Sequence, residues 1–229
     1  MRQKVSLGIG KLDELLGGGI PAGSVILVTG PAGSGKTTFL RAFLNSGMKQ
    51  GETGIYIMSQ RNPDYVIEDM RLFNWEVDTT KLKFLAFDGI VPEPKPYVYG
   101  NYNSLTDLAG GLRKLSSELG GKPARCIMDN LSSFFIPRDE SHVFQFLQLA
   151  FRMLRSANIT TMLQLQSDAH DPKTVAIIES LCDGTIELKR EGDERLLRVL
   201  KLDSGQTNPH WTKFEIGEKA GIRVLEFYR

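Results

Sequence analysis

Short runs of uninterrupted apolar residues alternate along this chain with longer stretches in which apolar positions recur every three or four residues. The first pattern is that of strands buried on both faces, the second that of amphipathic helices. Apolar runs at 24–30, 54–59, 82–87, 125–130 and 159–167 predict strands, and helical spacing predicts helices over 36–48, 104–119 and 139–156. Asn62-Pro63-Asp64 has the form of a helix start, with an N-cap amide, a proline in the first turn and an acid at the positive end of the dipole. The rhythm predicts an α/β fold built on a mostly parallel twisted sheet flanked by helices. Near the end the pattern changes to strict alternation, "GTIELKR" and "RLLRVLKL" around "EGDE", which predicts an antiparallel hairpin extending the sheet. Residues 88–103, carrying Pro92, Pro94 and Pro96 among Tyr97, Tyr99 and Tyr102, are expected to form an irregular surface excursion, either a passive ordered loop or a partner-facing one. With no repeat, low-complexity tract or linker, residues 1–229 read as a single domain.

Composition narrows the function classes. The chain has 229 residues, 41% of them apolar and 24% charged, and 28 Lys+Arg against 27 Asp+Glu leave a net charge of +1. Such a balance creates no field for nonspecific attraction to nucleic acid or anionic membrane. Cys126 and Cys182 lie in apolar runs without metal-type spacing and read as buried reduced thiols. No apolar run reaches membrane-spanning length and the N-terminus lacks a signal-peptide core, so the expectation is a soluble, cytoplasmic protein without membrane insertion.

The chemistry concentrates at "GPAGSGKT", residues 30–37, which follows a predicted strand and opens a predicted helix. This is the full G-x-x-x-x-G-K-[ST] pattern in its confirming context. Gly30, Pro31, Ala32, Gly33, Ser34 and Gly35 would turn main-chain N–H groups toward a phosphate, helped by the helix dipole. Lys36 would reach the outer phosphates, Thr37 would hold Mg2+ through its hydroxyl, and Thr38 closes the segment. Asp129, at the end of the run "CIMD", supplies a carboxylate at the strand edge where open α/β sheets bind ligands, as a second Mg2+ group. A glycine-rich turn binding nothing, and a capping acid, are the plainer readings of the same residues.

At these residues the chain resembles a known family. "GIGKLDELLGGGIPAGSVILVTGPAGSGKTTFL" is similar to the opening of a KaiC-type ATPase domain of the RecA/RadA superfamily, and the similarity continues through "GIYI", "IMDNLS", "CDGTIEL" and the "GIRV" near the end. The resemblance implies a RecA-like fold, ATP or ADP as ligand, and assembly into a ring or lower homo-oligomer with nucleotide between neighbours. It also implies that the second strand ends in a phenylalanine and two adjacent glutamates, which polarise the attacking water. Here Ser59, Gln60 and Arg61 take those places: Gln60 can orient a water but is a poor proton acceptor, and Arg61 is permanently charged. Losing a general base costs about 10²–10⁴-fold in rate, so hydrolysis is expected to be weak or absent while binding survives. The family's trans-acting Lys and Arg correspond to Lys201 and to Asp203, an acid in the arginine's place; Lys201 reads equally as a solvated strand lysine. Gln166, favoured over Gln164, is the position of a γ-phosphate sensor. The segment 167–174 is short, acidic and without aromatics, which speaks against binding single strands. The histidines at 142, 170 and 210 are assigned no chemistry. The expected function is an ATP-binding regulatory or scaffolding module with an unknown protein partner. The alternatives are an active KaiC-type ATPase, oligomeric or self-phosphorylating, and a DNA-binding recombinase paralogue.

Overall fold

The apolar runs assemble into one sheet covered on both faces. The computed structural model describes residues 3–59, 62–88, 95–136, 138–203, 205–217 and 221–226. A two-stranded ribbon, β1 (Lys4–Val5) and β2 (Ile20–Pro21), brackets the short helix α1 (Gly10–Leu15). The main elements follow as β3 (Val25–Gly30), α2 (Lys36–Lys49), β4 (Thr53–Ser59), α3 (Pro63–Arg71), β5 (Leu82–Phe87), β6 (Val98–Tyr102), α4 (Leu105–Leu119) and β7 (Ala124–Asp129). The chain continues through α5 (Glu140–Ser156), β8 (Thr160–Gln166), α6 (Pro172–Leu181), β9 (Gly184–Glu191), β10 (Glu194–Leu202), β11 (Asn208–Gly217) and β12 (Gly221–Glu226). Ten strands form a sheet of order β12-β11-β10-β9-β3-β8-β7-β4-β5-β6, parallel from β9 to β6 and antiparallel from β9 to β12. One face packs α2 and α3 against the sheet around Phe39, Phe43, Val66 and Met70; the other packs α4, α5 and α6 around Leu112, Leu147 and Ile178.

The expected helix ends are present. Asn62 caps α3 by accepting from the Asp64 N–H at 2.9 Å, and α4 stops at Gly120 in the left-handed conformation. Two expectations need correction. The segment 88–103 is not irregular throughout: Val98–Tyr102 forms the parallel edge strand β6. The three prolines precede Tyr97, after which Val-Tyr-Gly-Asn-Tyr is free to donate to a ladder; Tyr97 accepts from the Phe84 N–H at 2.7 Å and its hydroxyl donates to Asp64. Residues 89–94 lie outside the described ones. The tail also holds more than a hairpin, since β11 and β12 continue the antiparallel extension, and Phe214 and Ile216 of β11 pack beneath Gly35. Cys126 and Cys182 are free and buried, and burial pushes both thiols up, Cys182 to about 12.

Arg125 at the start of β7 is wholly buried beneath α2. Its guanidinium makes a two-pronged pair with Glu52 at 2.9 and 3.1 Å and donates to the Ser6 and Phe43 carbonyls at 2.6 and 3.0 Å. Gly47 of α2 is what lets it pass, because a Cβ there would collide with the arginine's Cδ and Nε. Each of its three nitrogens has a partner and its charge is met by Glu52, so the buried charge is tolerable; removing Glu52 alone would leave it uncompensated. Glu52→Ala is therefore expected to lower unfolding free energy by about 3–5 kcal/mol, read from denaturant midpoints, and Gly47→Leu to prevent folding of the native core.

Candidate nucleotide site

The loop 30–35 leaves β3 and enters α2 with Gly30, Gly33 and Gly35 all at positive φ. At Gly30 the requirement is absolute: φ is 147° and a Cβ would run into the Leu188 carbonyl oxygen of β9. Lys36 is buried across the loop, its ammonium donating to the Gly30 and Pro31 carbonyls at 2.8 and 2.7 Å. Burial holds its pKa below the ordinary lysine value, against the opposing pull of Asp168 and Asp129.

Thr37, the next residue, faces Asp129. The hydroxyl donates to Asp129 Oδ1 at 3.2 Å and lies 3.5 Å from Gln164 Oε1, while the Gln164 amide donates to the same carboxylate oxygen. Asp129 Oδ2 accepts from the Tyr56 hydroxyl at 2.6 Å. Behind Tyr56 stands Arg41 of α2, whose Nε donates to the phenol oxygen at 3.1 Å and whose NH1 pairs with Asp69 at 3.2 Å. Tyr56, Arg41, Gln164 and Asp129 are all buried. Desolvation, reinforced by the charge of Asp129, drives the Tyr56 phenol far above its ordinary pKa, so it stays a donor at any physiological pH.

Of the residues proposed from sequence, Lys36, Thr37 and Asp129 come together. Gln166 sits in register with Gly30 at the mouth of the loop, and its main-chain N–H donates to Ser132 Oγ at 3.0 Å; Gln164, two residues earlier, is the glutamine that reaches Asp129. Lys201 pairs in register with Thr185, beside Leu27, and its ammonium donates to the Cys182 carbonyl at 2.8 Å and pairs with Asp203 at 3.6 Å. It is therefore not brought to its own chain's loop. Gln60 and Arg61 lie outside the described residues. Their flanks are described: the Ser59 and Ser133 hydroxyls share a hydrogen bond, and Asn62 caps α3. Two contributors went unread in the sequence. Tyr56 reads there as one more core aromatic, and Asp168 as part of an acidic loop, although its charge acts on Lys36.

A glycine loop at a strand–helix junction, a lysine folded over it and a threonine against a strand-end carboxylate define a P-loop protein, here on a RecA-like sheet. The chain belongs to the KaiC ATPase family, whose model matches residues 5–228. It is 32% identical to a UPF0273 protein of Thermotoga maritima over 60% of each chain. Against circadian clock protein KaiC3 of Synechocystis it is 26% identical over 97% of this chain and 46% of the relative. The chain thus spans less than two thirds of either relative. The crystal structure of a KaiC-like protein from Pyrococcus horikoshii shares the fold, with a TM-score of 0.81 and 22% identity over 99% of this chain and 100% of that one. The family implies nucleotide binding.

Tyr56→Phe removes a single oxygen but strips a donor from Asp129 and an acceptor from Arg41. It should cost about 1–3 kcal/mol of stability, measured by urea unfolding, with no change in the slope of the transition.

Proposed function

We propose that residues 1–229 form one nucleotide-binding domain that takes ATP with Mg2+ at the 30–37 loop and acts as a nucleotide-dependent regulatory or scaffolding module with little or no hydrolysis. The observation that carries this reading is the state of Asp129. It is the only carboxylate in the buried set of described residues, and both of its oxygens already accept hydrogen bonds, from Thr37, Gln164 and Tyr56. A carboxylate so engaged suits an electrostatic and metal-positioning role; it is poorly placed to accept a proton from water. The glutamate pair that would do so in the family is replaced by Gln60 and Arg61.

The donor set suits Mg2+. Thr37 hydroxyl and Asp129 carboxylate are hard oxygen groups in contact with each other, and the remaining positions of an octahedral ion would fall to phosphate and water. When bound, Mg2+ would neutralise charge on the outer phosphates. The chain's own residues supply the rest. Main-chain N–H groups of the loop bind phosphate, and Lys36 exchanges its two carbonyl acceptors for phosphate oxygens. Tyr56 holds Asp129 in its acceptor orientation. Changes of nucleotide would be read in the segments following residues 59, 87 and 166, where a protein partner or a second copy could respond.

A second reading is favoured by Asp168. It lies in the short turn Ser167–Ala169 that follows β8, exposed, and close enough to Lys36 to oppose the lowering of its pKa. An acid there could take the proton that Gln60 cannot, making the chain a working ATPase.

Phosphate release by the purified protein separates the two. The first reading expects no sustained turnover above a Lys36→Ala control, while a fluorescent ATP analogue still binds the wild type and loses at least about tenfold in affinity, roughly 1.4 kcal/mol, in Lys36→Ala. Restoring the family's acids by Gln60→Glu with Arg61→Glu should then raise turnover by about 10²-fold or more. Sustained release that Asp168→Asn abolishes would instead establish the second.

A further inference from the structure

A cleft of about 850 Å³ lies between the N-terminal halves of α4 and α5, on the face of the sheet opposite α2 and its phosphate loop. Leu105, Phe146 and Leu149 give it an apolar floor, and Arg113, Arg138 and His142 stand around it. The volume is that of a site for an organic molecule, about 300–1,000 Å³, and far exceeds what an inorganic anion would fill.

The charges around the cleft are unequal. Arg138 is fixed in place, stacked 4.5 Å over the Phe87 ring, paired with Asp88 at 2.6 Å and donating to the Ile136 carbonyl at 3.3 Å. Arg113 is exposed and has no ion-pair partner among the described residues. The one acid in the wall, Asp139, caps α5, accepting from the Ser141 N–H at 2.8 Å, and stays charged at the helix end. The first turn of α4 is likewise capped by its own Ser104, which accepts from the Asp107 N–H at 3.1 Å. The pull on an anion therefore comes from the Arg113 guanidinium rather than from open helix ends. An uncompensated arginine beside an apolar floor matches a ligand that is charged at one end and apolar at the other.

We propose that the α4–α5 cleft is a second binding site, for a small organic anion: a carboxylate or phosphate ester carrying an apolar or aromatic body, its charge on Arg113 and its body on Leu105, Phe146 and Leu149. The site does not depend on nucleotide binding, and its test is independent of the loop.

Anilinonaphthalene sulfonate, an aromatic anion whose fluorescence rises on leaving water, serves as the probe, with its uncharged parent phenylnaphthylamine as control. Two substitutions alter the cleft at exposed positions. Arg113→Glu reverses the unpaired charge, and Gly110→Phe fills the space, since a Cβ at Gly110 meets nothing within 4 Å. Melting temperature checks that both variants fold. The expected result is saturable binding of the sulfonate at one site per chain and binding of the neutral parent at least about tenfold weaker. The sulfonate should lose about tenfold or more in Arg113→Glu, a difference of about 1.4 kcal/mol, and not bind measurably to Gly110→Phe. Equal binding of the uncharged parent, unsaturable binding, no binding, or sulfonate binding unchanged in both folded variants would overturn the proposal.

Discussion

The contact between Thr37 and Asp129 closes the site, and the strand order makes it difficult to form. β7 is not beside β3; β8 lies between them, so Gly30 at the end of β3 and Asp129 are separated by two strand spacings, about 10 Å in all. The loop carries the start of α2 across that gap, and side chains close what is left. Gln164 does so from the intervening strand, in register with Val28 on one side and one residue beyond the Leu163–Met128 pair on the other, with its amide reaching Asp129 and its carbonyl lying near Thr37. From the far side Tyr56 on β4, two residues before the Met58–Asp129 pair, fixes the second carboxylate oxygen. The acid is thus held from both neighbouring strands, and the loop is aligned to it rather than the reverse.

Arg41 extends this arrangement into α2. It comes one helical turn after Thr37, so the helix that presents the Thr37 hydroxyl to Asp129 also places a buried cation behind Tyr56. A cation and an anion separated by a phenol that touches both are each partly compensated in a region closed to water. The outer end of the chain of contacts is Asp69 of α3, which follows the residues where the family carries its glutamates. Binding chemistry at the loop and the position of α3 are consequently joined through side chains that the reaction itself does not use. A module that reports its nucleotide state to a partner needs that kind of connection.

Features set by local chemistry were legible in the sequence. The loop could be read because each glycine, the lysine and the threonine are demanded by the conformation or by phosphate, and Asn62 because a cap acts on residues two positions away. What could not be read depends on register. Gln164 and Gln166 are two apart and share a face, so spacing cannot choose between them; pairing with Val28 and Gly30 respectively does. Tyr56 and Arg125 sit in runs whose pattern announces only burial, and their polar ends acquire meaning from residues 73 positions away in each case, Asp129 and Glu52. Three prolines made the segment before Tyr97 look irregular, and their influence was carried too far along the chain, over β6. Asp168 had a visible sign in the acidic segment after β8, but its bearing on Lys36 comes from the fold.

The strand that carries the phosphate loop pairs only with β8 and β9, so residues 25–30 have no strand partners until residues 160–187 have left the ribosome. About seven tenths of the polypeptide must be synthesised while a largely apolar segment waits with both edges open. Long-range parallel pairing of this kind is slow and exposes sticky edges in the meantime. The vulnerable period in this molecule's life is during its manufacture, and holdase chaperones engaging the nascent N-terminal third would have the greatest influence on its yield.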